Sequence, residues 1–153
     1  MKKASIIRLI RLIGFLMAAV AFALPAVKGP GGSGPYSGWL CAVTAASATG
    51  GMIKEGGLSP GSDLVGSLCL VLSGWVNPLV VIYLLFLISP RWVVARRVVA
   101  GAIVVCLIAT WNFLAIAPMV PLVGHFLWVG GIFLILGPEF VALFEGRSAV
   151  TRG

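Results

Sequence analysis

The chain has 153 residues, 60% of them hydrophobic and only 10% charged, with 11 Lys and Arg against 4 Asp and Glu, a formal charge of +7 and a mean hydropathy of +1.12. A soluble domain is roughly half apolar and about a quarter charged, and a small fold leaves too many side chains outside for water to solvate this composition. Solubility and disorder are both excluded, and the basic residues, clustered beside apolar runs, record membrane orientation rather than nucleic-acid binding.

The first expected span covers residues 7–27. Leu12 to Val27 is uncharged but short, so it crosses only if Arg8, Arg11 and Lys28 snorkel towards the interfaces. The same stretch resembles a secretory signal, with Lys2, Lys3, Arg8 and Arg11 ahead of it and Ala21-Phe22-Ala23 as a cleavage site. The expectation is a retained helix, because the apolar run is long for a signal and continues past that site; cleavage would leave three spans.

Residues 28–63 read as a Gly/Pro-rich extracytoplasmic loop. Gly29 to Gly38 holds five glycines and two prolines and predicts irregular backbone. Trp39 to Ala48 predicts a short helix lying on the membrane or packed against the bundle, ended by Gly50-Gly51 and then Gly56-Gly57. Tyr36 and Trp39 suit an interface.

The second span, residues 64–89, falls in a 27-residue gap without charge between Asp63 and Arg91. Asp63, or Ser62, is expected to cap it. Asn77-Pro78 lies at its middle, where proline frees a carbonyl near Gly74 and predicts a kink or a helix break at Pro78. Asn77 is then either satisfied inside the bundle or part of a broken helix that exposes carbonyls to a substrate.

A loop over residues 90–97 follows, with Arg91, Arg96 and Arg97 as topology markers and Trp92 at the cytoplasmic interface. The next 41 residues, up to Glu139, carry no charge and accommodate two spans, residues 98–117 and 121–144, joined at Ala117-Pro118-Met119-Val120-Pro121 in a tight hairpin. Asn112 and His125 lie at similar depth on its two arms and are expected to hydrogen-bond to each other; the alternative, a proton-titrating or metal-binding His125, lacks an acid beside it and would leave a metal under-liganded. Glu139 and Glu145, at the cytoplasmic end of the last helix, call for Arg96 or Arg97 as partners. Trp111 and Trp128 sit almost equally far from the turn.

Catalytic signatures are missing. Cys41, Cys69 and Cys106 are odd in number and without C-x-x-C, which gives neither a disulfide framework nor a zinc site. There is no Walker loop, H-E-x-x-H or paired-carboxylate pattern. The G-x-x-x-G matches at Gly34 and Gly57 contain proline and fall in loops. The first span carries no acid, against a small multidrug exporter, and no internal repeat suggests an inverted-repeat transporter.

Gly38-Trp39, Trp75-Val76-Asn77-Pro78-Leu79, the arginine loop and Gly124-His125-Phe126-Leu127-Trp128 together resemble small bacterial inner-membrane proteins with a W-x-N-P and G-x-x-x-W pattern, over roughly residues 36–136. The resemblance implies a four-helix membrane fold and no activity.

The expectation is an all-α, four-transmembrane-helix bundle in a bacterial inner membrane, with both termini and the arginine loop cytoplasmic. It is expected to be a structural or accessory subunit, not an enzyme, with no cofactor and no metal. Its partners are the lipid bilayer and a membrane protein or a second copy of itself, not nucleic acid. A small oligomeric channel or transporter is the alternative.

Overall fold

The computed structural model describes residues 3–32, 34–54, 64–88 and 90–150. They form helices α1 (Lys3–Ala23), α2 (Gly38–Lys54), α3 (Leu64–Phe86), α4 (Val93–Ile116) and α5 (Val123–Val150), with short strands β1 (Pro25–Lys28), β2 (Pro35–Ser37) and β3 (Val120–Pro121). Four of the helices are long and apolar enough to cross a membrane, through Ser5–Ala23, Leu64–Phe86, Val93–Ile116 and Val123–Ala142. The protein is thus an all-α four-helix bundle, and its outward faces carry Leu12, Leu16, Val81, Leu85, Val105 and Phe133 exposed, as a hydrocarbon solvent requires.

The helices pack as two pairs, α1 along α5 and α3 along α4. The α1–α5 seam is made by small residues. A Cβ on Gly14 would stand 2.6 Å from the Gly131 carbonyl oxygen, and one on Gly131 would stand 2.6 Å from that of Gly14 and 2.8 Å from the Ala18 amide nitrogen. Lipid tails give helices no hydrophobic reason to associate, so this backbone approach, with its dispersion gain, is what joins them. Between the pairs, Val76 and Tyr83 of α3, Ile103 of α4 and Ile132, Ile135 and Leu136 of α5 form the buried core.

At one end a small antiparallel sheet, ordered β2-β1-β3, closes the bundle. Val27 pairs with Tyr36 on one side and with Pro121 on the other. The chain leaving α1 is thereby tied to the α4–α5 turn, reinforced by Leu122 N–H donating to the Ala26 carbonyl at 2.7 Å. Gly31, at φ 71°, takes the left-handed conformation that the β1–β2 turn needs and that only glycine adopts without strain.

Several expectations are corrected. Apolar residues 24–27 do not extend the first helix, because Pro25 ends it and β1 pairs on both edges. Gly29 to Gly38 is not irregular throughout; it contains β2 and a single 3-10 turn, Pro30–Gly32. The second helix does not stop at Gly50-Gly51. Each glycine costs only ~1 kcal/mol against alanine in a helix, less than stranding its backbone polar groups beside apolar surface. The break expected at Pro78 does not occur, and α3 runs through it, since one missing N–H frees one carbonyl while the turns on either side hold. Arg96 and Arg97 lie in the first turns of α4 rather than in a loop, because Phe86 stacks on Trp92 (5.4 Å, 12°) and shortens the connection to the turn Pro90–Trp92. The tight hairpin is loose: α4 and α5 are consecutive, yet each packs mainly on another helix. The caps proposed at Ser62 and Asp63, and Gly56-Gly57, lie outside the described residues.

Candidate functional site

Below the sheet, α2 is held against α3, α1 and β1, and a cavity of about 450 Å³ separates it from α4 and α5. Its walls are mostly apolar. Its polar groups come from four helices and the sheet: Thr44 of α2, Ser73 and Asn77 of α3, Thr110 of α4, His125 and Trp128 of α5, and Tyr36 of β2. Trp128 Nε1 donates to Asn77 Oδ1 at 3.1 Å, so the two residues that anchor the W-x-N-P and G-x-x-x-W patterns meet across α3 and α5. Ser73 donates to the Leu70 carbonyl at 2.7 Å and Thr110 to that of Cys106 at 2.8 Å, each within its own helix.

His125 is only 5% exposed. Its ring meets Trp111 edge-on (5.0 Å, 84°) and lies 5.7 Å from Trp128, and its Nε2 has no hydrogen-bond partner. The expected Asn112–His125 bond is not formed. Asn112 is exposed on the outer face of α4 and donates Nδ2 to the Ile108 carbonyl at 3.0 Å, which satisfies it within its own helix. The ring of Trp111 occupies the place beside His125 instead.

The second polar centre lies at the opposite end of the bundle. Glu139, its side chain 5% exposed, receives Arg11 Nη2 at 2.9 Å on Oε1. Arg96 grips both oxygens, with Nε 2.9 Å from Oε1 and Nη2 3.1 Å from Oε2. Three helices, α1, α4 and α5, are tied by one carboxylate. The fully buried Tyr83 of α3 stands within electrostatic reach of all three charges. Two guanidiniums and one carboxylate leave one net positive charge, and Glu139 has its oxygens taken up by contacts rather than free to act as a base.

Arg96 therefore meets Glu139; Arg97 is exposed on the next face of α4. Arg11 and Tyr83 escaped the sequence reading. The signal was present for Arg11: Arg11, Gly14, Ala18 and Ala21 recur at helical spacing and mark one stripe of α1. Tyr36, Trp39 and Trp92 are exposed, Trp39 at 66%. Arg91 lies in the turn before α4. All three cysteines are free, and burial pushes the Cys41 thiol on α2 up, away from the thiolate that a nucleophile needs. Among the described residues no three His, Cys, Asp or Glu side chains gather as a metal site.

No family model, curated protein or solved structure matches the chain. What the fold and composition define is a multi-pass membrane protein.

Proposed function

We propose that this chain is a structural or accessory subunit of a bacterial inner membrane, without catalytic activity of its own. The observation that carries the reading is the closure of the intramembrane charges on one another: Arg11, Arg96 and Glu139 are used to bind helices, where an ion or proton path would keep such groups facing water or substrate. Purification from native membranes in mild detergent tests it. A membrane-protein partner or a second copy of the chain is expected to co-purify; a lone monomer with turnover of its own overturns the proposal.

Both termini belong in the cytoplasm under this reading. Arg8, Arg11, Arg91, Arg96 and Arg97 lie towards the Glu139 end, and Lys28 lies in the sheet at the other. Reporter fusions after Gly32, Ala95, Val120 and Gly153 are expected to read out, in, out and in. A periplasmic signal at Ala95 reverses the assignment.

A small oligomeric channel or transporter is the second reading, favoured by the cavity with Asn77 on its wall. Solute flux in liposomes that Asn77→Ala abolishes would establish it.

A further inference from the structure

We infer that the cavity beneath the sheet binds an uncharged amphiphile whose head is a hydroxyl group. Three observations carry this beyond the accessory role, and independently of it. The first is size and character: about 450 Å³ with mostly apolar walls is the kind of space that holds a small hydrophobic ligand. The second is His125, more than nine-tenths buried, part of the lining, and with Nε2 unpartnered. The nitrogen itself is closed off from the cavity as it stands, so a ligand reaches it through a turn of the ring, and a polar atom so placed costs stability until something bonds to it.

The third is the set of hydrogen-bonding roles on offer. Ser73 and Thr110 spend their protons on carbonyls of their own helices, so what they present is acceptor oxygen. Asn77 spends Oδ1 on Trp128, so its remaining amide end is a donor. The hydroxyls of Thr44 and Tyr36, also on the lining, can take either role. A site with both acceptors and donors suits a head that donates and accepts, which a hydroxyl does and a ketone or ester does not. No Lys, Arg, Asp or Glu lines the cavity, so a carboxylate or phosphate head would be left without a counter-charge.

The location suits a ligand that arrives through lipid. α2 is the outermost wall, packed on α3 and the sheet, and the helices behind the cavity are those with exposed apolar outer faces.

Photolabelling of the full chain in lipid nanodiscs with a diazirine-bearing dodecanol tests the inference, with peptides mapped by mass spectrometry. Labels are expected on cavity-facing segments of α2 and α4, around Cys41 and Phe113. Unlabelled dodecanol is expected to compete at least tenfold better than dodecane or dodecanoate. Ala48→Trp, which fills the cavity from the peripheral α2, should abolish the labelling, and His125→Gln, which keeps a hydrogen-bonding group, should retain more of it than His125→Leu. Equal competition by dodecane overturns the recognition of the head. Labels spread over the lipid-facing surfaces, unchanged by Ala48→Trp, overturn the site itself.

Discussion

Where α1 and α4 begin, three charged side chains fill buried space by bonding to one another across 43 and 128 residues of sequence. At the sheet end, neutral polar side chains from four helices and a strand stand around open space, and one of them, His125, keeps an unpartnered nitrogen. The contrast is not one of composition, since both ends are set in the same apolar bundle. It lies in charge and in space. One end closes ion pairs on a single carboxylate, so loss of a member strands a charge, although Arg11 Nε and the Tyr83 hydroxyl there also lack a partner; the other end sets neutral polar groups around a cavity. Binding is therefore expected where polar groups stand around open space, and rigidity where charge is closed.

The largest effect is expected at the closed end. Glu139→Leu leaves two partly buried guanidiniums without a counter-charge and should cost about 3 kcal/mol in denaturant unfolding of the purified protein. Adding Arg11→Met and Arg96→Met should restore most of that loss, because an apolar cluster of similar volume replaces an ion pair well. Failure of the triple change to recover would mean that the charges do more than hold helices. Next in size is the α1–α5 seam. Gly131→Ala places a Cβ against backbone at 2.6 Å and should cost about 1–3 kcal/mol, read by the same unfolding.

At the open end the expected effects are small. Asn77→Leu and Trp128→Phe, combined in a double-mutant cycle, should show a coupling of about 0.6 kcal/mol, typical for one hydrogen bond between membrane helices. A coupling several times larger would move this end into the same class as the other. Smallest of all is Asn112→Leu, expected within about 0.5 kcal/mol of wild type because it is exposed and bonds its own helix, and additive with His125→Leu.

The spans were legible because hydrocarbon excludes charge: the gap from Asp63 to Arg91 marks α3, and that from Arg97 to Glu139 marks α4 and α5. Helix rotation was not read. Asn112 and His125 share a depth, but contact also needs a common azimuth. Asn112 is two residues from the buried Leu114, roughly 200° around the helix, which turns it outward. The periodic buried set Ala100, Ile103, Leu107 and Leu114 carried that information. Depth counting discarded it. The strands were missed for another reason. Pro25-Ala-Val-Lys and Pro35-Tyr-Ser are too short for alternation to show, and their pairing depends on β3, more than 80 residues away. Arg11 was read as a topology marker because its partner lies at the far end of the sequence. Even a stripe of Gly14, Ala18 and Ala21 names a packing face without naming the acid across it.

The bond between Arg11 and Glu139 joins the first helix to the last. During synthesis α1 enters the membrane with an arginine in its span long before its counter-ion exists, and α4 follows with Arg96 in the same condition. Only when α5 emerges does one carboxylate stand between them, offsetting one of the two charges. The arrival of α5 is thus recorded as a change in electrostatics: before it two arginines stand without a counter-charge, and after it the three groups carry one net positive charge around Glu139. Membrane proteases and chaperones that recognise exposed intramembrane charge would have in this cluster a direct sign of whether α5 is in place.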